Sequence, residues 1–299
     1  MGYLLSLLIY LNVYAIVALS LNLVVGCCGL LTLAHASYFA VGSYVYALAT
    51  IKFHWEFLPA IGLAAVVAGG MSLAISVPAW RFKGDFFVMV SLAVQTLIYS
   101  LIYNGANTDA EYGTWQNLTK GSFGITGIPQ PTILGWQFQS IGSIAMLSFV
   151  VALGCGGVCW LLLSSPWGRL LRSIRDDELA IRGLGKNTRL AKIQAFAIAC
   201  GMSAIAGAIY ASYVTYIDAS SASLDHSVLM LCMVIVGGVG NFRGPLIGAL
   251  LLLAIPELLR FAAIPDTIAA NIRLMLYGVL LVVMMRVRSQ GVAGEYRID

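Results

Sequence analysis

The residue types that could do chemistry are concentrated in one charged stretch, Ser164 to Lys192. It holds seven of the seventeen basic residues and three of the thirteen acidic ones, between long apolar regions. Arg169 to Arg175 has an amphipathic pattern, and Asp176 to Ala180 can open a second short helix because acidic residues are favoured in a first turn. Leu184-Gly185 can close that helix, since glycine commonly follows a helix end. The stretch suits either docking to a partner protein or a solvated loop that orients the chain, and its length favours docking.

Patterns typical of catalysis and nucleotide binding are missing from the sequence. Lys186 is followed by Asn187 and lacks the upstream glycine of a phosphate-binding loop. The three histidines have no spacing that indicates a catalytic metal. Cys155 and Cys159 share a helix face without a nearby histidine or carboxylate, which favours packing over metal binding. The sequence therefore argues against an enzyme and predicts no cofactor.

The composition indicates a membrane protein. Hydrophobic residues make up 60% of the chain, charged residues 10%, and the mean hydropathy is +0.89, whereas soluble domains carry about 25% charged residues. Several apolar runs approach or exceed the ~20 residues that cross a bilayer as a helix. The basic residues gather in short loops, a pattern that sets membrane orientation and does not indicate nucleic-acid binding. We therefore predict an all-α polytopic protein in a lipid bilayer, with about eight or nine transmembrane helices.

Two places interrupt the predicted helices. Residues 26–29, Gly-Cys-Cys-Gly, are too short and uncharged for an ordinary loop between spans. Residues 237–245 are rich in glycine, and a proline there removes a backbone donor. We interpret the second interruption as a tight hinge after a segment too short for an upright span, with hinge residues Gly237, Gly238, Gly240, Gly244 and Pro245. The predicted spans lie at about Leu4–Val25, Leu30–Ile51, Leu58–Trp80, Phe86–Asn104, Ile141–Leu163, Ile193–Val214, two segments within Val228–Phe261, and Arg273–Met285.

Polar residues inside the spans mark a candidate pathway. Gln95, Tyr99 and Tyr103 are spaced by four, which predicts one polar helix face, and the second span begins with several polar residues. Within a bilayer such groups must meet protein or a water-filled cavity, so hydrogen bonding between helices is an equal alternative. The candidate pathway residues are His35, Tyr38, Tyr44, Gln95 and Tyr99.

Energy-coupling chemistry is scarce inside the spans. Their middles lack Asp and Glu, and Glu257 near a helix end is the one borderline case. Intramembrane carboxylates mark proton- or ion-coupled carriers, although backbone oxygens can also hold an ion. A pathway protein of this kind predicts a partner that supplies the energy.

Basic residues set the expected orientation. Arg81 and Lys83, the charged stretch, and Arg286 and Arg288 belong on the cytoplasmic side. Residues 105–139 then face outward, and the C-terminus lies in the cytoplasm.

Five stretches, in order, resemble the LivM-like permeases of bacterial ABC importers for branched-chain amino acids. They are GLLTLAHASYFAVGSYVYAL (29–48), RFKGDFFVMVSLAVQTLI (81–98), LTKGSFGITGIPQP (118–131), GRLLRSIRDDELAIRGLGKNTRLAKIQAFAIACGMSAIAGAIYA (168–211) and VIVGGVGNFRGPLIGALLL (234–252). The resemblance implies a single permease domain over residues 1–299 in the bacterial inner membrane, with 105–139 as a periplasmic loop. It also implies a LivH-like permease partner, two ATPase subunits that hydrolyse the ATP, and a periplasmic substrate-binding protein.

The resemblance further implies that residues 164–192 form the cytoplasmic segment that couples the permease to its ATPases. The family's Glu-Ala-Ala pattern, with glycine at the seventh position, reads here as Glu178-Leu179-Ala180 with Leu184 at that position. Relatives also transport urea, short amides or aromatic acids, and these substrates remain alternatives, as does a stand-alone secondary carrier. The implied coupling residues are Arg172, Ser173, Ile174, Arg175, Asp176, Asp177, Glu178, Ala180, Gly183, Leu184 and Gly185.

Overall fold

The structure, a computed structural model, describes residues 2–79, 85–105, 118–133, 135–261, 266–287 and 291–293. The described residues are almost entirely helical, as predicted. The helices are α1 (Gly2–Asn22), α2 (His35–Phe53), α3 (Phe57–Ala79), α4 (Asp85–Asn104), α5 (Ile141–Ser164), α6 (Pro166–Asp176), α7 (Glu178–Gly183), α8 (Thr188–Val214), α9 (Leu224–Gly237), α10 (Arg243–Phe261) and α11 (Asp266–Val287).

The all-α polytopic membrane fold is confirmed. Among the described residues, four helices are long and apolar enough to cross a membrane, and three further apolar stretches are shorter. The four lie at Gly2–Cys27, Phe86–Asn104, Ile141–Ser164 and Thr188–Val214. The α1 helix reaches Cys27 because a π-helical segment, Leu23–Cys27, extends it.

Helix α8 packs closely against α2 because small residues line their contact. A Cβ atom on Gly207 would collide with the carbonyl oxygen of Phe39, so only glycine permits this approach. Ser43 Oγ donates to the Gly207 carbonyl oxygen at 2.8 Å, and Ser203 Oγ donates to the His35 carbonyl oxygen at 3.3 Å. Ser203, Gly207 and Ala211 recur at a spacing of four, the small-residue pattern that permits close approach of two helices.

Three predicted helix starts are wrong by five residues or more, and the largest difference is in α11, which begins at Asp266 and not at Arg273. The second span begins at His35 and not at Leu30, because Gly29 adopts a φ of 66° and the chain stays non-helical up to Ala34. Helix α8 begins at Thr188 and not at Ile193, because the Asn187 side chain caps it by accepting the Leu190 N–H at 3.0 Å.

Within the part of the chain that the structure describes, four two-residue strands lie outside the bundle: β1 (Ile125–Thr126), β2 (Thr132–Ile133), β3 (Trp136–Gln137) and β4 (Tyr216–Ile217). Strand β1 pairs antiparallel with β4, and β2 pairs with β3. The first pair joins the region before α5 to the segment after α8, which places both on one side of the bundle. Residues 106–117 and 134 of the predicted outer loop, together with Arg81, Lys83 and Arg288, lie outside the described residues.

Candidate functional site

The charged stretch forms two short helices, and each has a side-chain cap. Ser165 caps α6 by accepting the Gly168 N–H at 3.3 Å, and a proline occupies the first turn. The Asp177 carboxylate caps α7 by accepting the N–H groups of Leu179 and Ala180 at 2.9 and 3.0 Å. Gly185, with a φ of 75°, ends the second helix. The two-helix arrangement predicted from the sequence is therefore confirmed.

Glu178 fastens α7 to the start of α8. Its carboxylate lies 2.6 Å from the Arg182 guanidinium and 2.9 Å from the Lys192 amine, and it accepts the Thr188 hydroxyl at 3.1 Å. Partial burial alone would raise the pKa of Glu178, but the hydrogen bond and charge of Lys192, with Thr188 and Arg182, outweigh burial and hold this pKa below its usual value. Glu178 is therefore ionised at neutral pH, and it sets the position of α7 from within the chain.

Helix α6 is anchored on the membrane-embedded part of the protein. Leu171 and Ile174 are buried on its inner face. Arg172 donates through Nη2 to the Leu163 carbonyl oxygen, at the end of α5. Arg175 donates through Nη1 to the Gly26 carbonyl oxygen, at the break between α1 and α2. A displacement of α6 would therefore act directly on this break.

Helix α7 and the residue that caps its C-terminus expose two leucines. Leu179 is 72% exposed and Leu184 is 75% exposed. Of the predicted coupling residues, Arg172, Ile174 and Arg175 contact the bundle, and Glu178 is bound to α8. The remaining ones are exposed: Ser173, Asp176, Asp177, Ala180, Gly183, Leu184 and Gly185. Leu179 is not among the residues predicted for coupling, although a leucine on a six-residue polar helix was an available signal.

A second polar site lies inside the bundle, where the first turns of α2 and α9 meet α4. Gln95, about halfway along α4, accepts the Ser37 N–H at 3.2 Å and donates to the Ala222 carbonyl oxygen just before α9. Ser227 Oγ, in α9, accepts the Ala36 N–H at 3.2 Å. Broken helices whose ends meet inside a membrane protein are typical of transporter binding regions. We call this site the central junction: Ala36, Ser37, Gln95, Ala222 and Ser227.

The predicted pathway residues occupy different environments. His35 is buried beside this junction, and its Nε2 lies 2.8 Å from Ser20 Oγ. Tyr38 and Tyr44 are also buried. Tyr99 is at the surface of α4 and stacks on Tyr103, with ring centroids 5.9 Å apart. The single polar face predicted for Gln95, Tyr99 and Tyr103 is therefore wrong, since Gln95 points inward and the tyrosines outward.

One small pocket lies close to the central junction. The adjoining pocket, between Tyr38, Ser91 and Phe196, measures about 10 Å³, near the lower limit for one water molecule. An amino acid does not fit there in this conformation. The C-terminal half of α4, by contrast, carries exposed polar residues at helical spacing: Thr96, Tyr99, Ser100, Tyr103 and Asn104.

The glycine-rich break between α9 and α10 is a tightly packed corner. Gly238 and Gly240 adopt φ values of 115° and 87°, which disfavour other residues. A Cβ atom on Gly237 or Gly244 would collide with the backbone of the opposite helix. Asn22 of α1 stabilises this corner, because its Oδ1 accepts the Gly240 N–H at 3.0 Å. Pro245 lies in the first turn of α10, where a backbone donor is not required. Bending at these predicted hinge residues stays a prediction.

These features define the class of protein: a multi-pass membrane protein with helices broken inside the bundle and a short helical segment on one face. The family described as the branched-chain amino acid transport system permease component matches residues 3–285, and the chain belongs to that family.

Several curated relatives are similar over most of the chain. The high-affinity branched-chain amino acid transport system permease protein LivM of Escherichia coli (strain K12) is 30% identical over 93% of this chain and 67% of its own length. A probable branched-chain amino acid transport permease protein LivM of Methanocaldococcus jannaschii is 26% identical over 79% of this chain and 68% of its own length. The autoinducer 2 import system permease protein LsrC of Salmonella paratyphi B is 28% identical, over 74% and 63%. No solved structure matches the chain.

Proposed function

We propose that the chain is the permease subunit of an ATP-driven importer for branched-chain amino acids in a bacterial inner membrane. It would pair with a LivH-like permease, receive substrate from a periplasmic binding protein, and contact two ATPase subunits. The observation that carries the proposal is the anchored helix pair α6–α7, with exposed Leu179 and Leu184 on a permease-family bundle.

The α6–α7 pair has the properties of a docking element. A merely solvated orienting loop has no need of two capped helices, nor of a carboxylate that binds Lys192 and Arg182. Burial of Leu179 and Leu184 in an apolar groove on an ATPase subunit would be favourable, because it would remove both side chains from water. Glu178 would act by holding α7 in place and not by touching the ATPase itself.

The same segment sets the proposed orientation. Residues 164–192 carry seven basic residues and would lie in the cytoplasm. Because successive helices cross the membrane in alternating directions, residues 105–139 and the β1–β4 pair would lie on the periplasmic side. Arg286, at the end of α11, and the C-terminus would lie in the cytoplasm. The whole chain would form one permease domain.

The contacts suggest how a movement of α6 could reach the central junction. Arg175 binds the Gly26 carbonyl oxygen at the end of α1. The non-helical residues that follow are held by α4, since Ser91 Oγ accepts the Leu33 N–H at 3.0 Å. Four residues later Ser37 binds Gln95. A shift of α6 would therefore pull on the segment that positions the first turn of α2.

The pathway would run along the outer half of α4. Its exposed Tyr99, Tyr103 and Asn104 need water or protein beside them within a bilayer. A second permease subunit facing α4 would enclose a polar path there. The central junction would open or close the path from one side, with Gln95 as its link to α2 and α9.

The test is reconstitution of the chain in liposomes with the second permease, the ATPases and the binding protein. We expect leucine uptake that requires ATP, and leucine-stimulated ATP hydrolysis. Leu184→Glu should abolish ATPase binding, whereas Leu190→Glu, a matched change at another exposed leucine in the first turns of α8, should retain it. Equal ATPase binding by both variants would contradict the docking role.

The alternative substrates and the alternative mechanism are tested in the same system. Urea, short amides and aromatic acids are offered as competitors to leucine, and the competitor that displaces it from the binding protein identifies the substrate. Uptake by the chain alone under an ion gradient, without ATP, would identify a secondary carrier and overturn the proposal.

A further inference from the structure

An apolar groove runs along the outside of the bundle between α1, α5 and α10. Its volume is about 620 Å³, within the range of small-molecule sites. The lining residues are almost all apolar, and they include Leu19, Leu153, Gly157 and Leu250. Asn12 also borders the groove, but its amide is buried and donates to Ser148 Oγ at 3.0 Å. The groove therefore suits a hydrocarbon occupant.

The groove continues into a polar pocket at the α6 end of the bundle. This pocket has a volume of about 210 Å³, and it shares Trp160 and Phe242 with the groove. Arg172 lines it, and its Nε is buried without a hydrogen-bond partner among the described residues, although Nη2 donates to the Leu163 carbonyl oxygen. A buried donor on a charged group is costly when unpaired, so the pocket calls for an acceptor that the described chain does not supply.

We propose that this composite site binds an anionic phospholipid from the leaflet on the α6 side. The acyl chain would fill the groove between α5 and α10, and the headgroup phosphate would accept from Arg172. Basic pockets between membrane helices at such a level are known to hold anionic headgroups. Trp160, 56% exposed near the end of α5, lies where tryptophan is favoured at a membrane–water interface. A purely apolar occupant would leave Arg172 Nε unpaired, and a free anion would leave the groove empty, so a phospholipid fits both parts.

Trp160 provides a direct assay because it borders both parts of the site. The chain is reconstituted in phosphatidylcholine vesicles, into which either brominated phosphatidylglycerol or brominated phosphatidylcholine is titrated. Bromine atoms on the acyl chains quench tryptophan fluorescence at contact, and the same titration of Trp160→Phe gives the contribution of the other tryptophans. We expect Trp160 to be quenched at lower fractions of the anionic lipid than of the zwitterionic one.

Two pairs of variants separate the headgroup contact from the groove. Arg172→Gln should reduce the preference for the anionic lipid about fivefold, whereas Arg169→Gln on the exposed side of α6 should not. Gly157→Phe should fill the groove and remove Trp160 quenching by both lipids. Gly154→Phe is its matched control, because a side chain at either glycine of α5 meets open space but only Gly157 borders the groove.

Three results would overturn the proposal. One is equal quenching by the two lipids in the parent chain, and another is an unchanged preference in Arg172→Gln. The third is protection of Trp160 from both lipids whenever a second permease subunit is present, which would make the groove a subunit interface.

Discussion

Replacing Glu178 with glutamine should loosen α7 from α8. The Lys192 amine that it binds is only 9% exposed, so this charge-assisted hydrogen bond contributes about 1.5–3 kcal/mol. The Arg182 pair is more exposed and has the i,i+4 spacing, which is worth about 0.3–0.5 kcal/mol. Glutamine keeps an acceptor for Thr188 but loses the charge. We therefore expect a cost of about 2 kcal/mol, or about 30-fold in the local opening equilibrium.

Amide hydrogen exchange across α7 and the turn before α8 measures this opening. At neutral pH, exchange in Glu178→Gln should be about 30-fold faster than in the parent chain. Asp176→Asn removes an exposed carboxylate from the same segment and serves as the control, with unchanged exchange expected. A double-mutant cycle with Lys192→Met should show most of the effect as coupling between the two side chains.

The pH dependence of the same exchange tests the charge directly. The folded-state pKa of Glu178 is lowered, so its stabilisation is present above the unfolded value of about 4.3 and is lost as the pH falls through the folded-state pKa. The parent chain should therefore approach the behaviour of Glu178→Gln in acid. A constant difference between the two down to acidic pH, or a cycle without coupling to Lys192, would refute the reasoning.

Three further changes test the bundle. Gly207→Val should prevent folding, because its Cβ would collide with Phe39, whereas Gly62→Ala, which meets open space, should keep the yield of folded protein in gel filtration. Gln95→Leu leaves the Ser37 N–H and the Ala222 carbonyl oxygen unpaired, which should lower the free energy of unfolding by about 1–3 kcal/mol. Leucine uptake should fall further than the amount of folded protein. Uptake that only follows the amount of folded protein would contradict a role for Gln95 in transport. Gly238→Ala should cost about 1–3 kcal/mol through its φ of 115°, and an unchanged melting temperature would argue against strain there.

Local signals in the sequence predicted the parts of the structure that depend on near neighbours. The acidic first turn of α7, the glycine that ends it, and the limits of α4 and α5 follow from residue types within a few positions. The small-residue face of α8 also follows, because glycine and serine at a spacing of four permit close approach whichever helix is opposite. The sequence therefore predicted the two short helices of the charged stretch and the membrane class.

Contacts between distant residues could not be predicted in the same way. The hydrogen bond that joins the first turn of α2 to α4 pairs Ser37 with Gln95, 58 positions away, and nothing near residue 37 indicates that partner. The spacing of Gln95, Tyr99 and Tyr103 wrongly predicted one shared helix face. Four residues turn a helix by about 400°, so each successive side chain points about 40° away from the one before it. Over eight residues this drift carries the side chains from the interior of the bundle to its surface.

Helices α4 and α5 present different chemistry on their outer faces, and this difference constrains any assembly. The exposed residues of α5 include Met146, Phe149 and Leu153, which lipid can cover. The C-terminal half of α4 exposes Tyr99 and Tyr103 together with shorter polar side chains. Because acyl chains offer no hydrogen bonds, a second permease placed on α4 would remove polar groups from lipid and leave the groove beside α5 open to a phospholipid. The reverse arrangement would bury a lipid-compatible face and leave polar groups in hydrocarbon, so the proposed pathway and the proposed lipid site favour the same assembly.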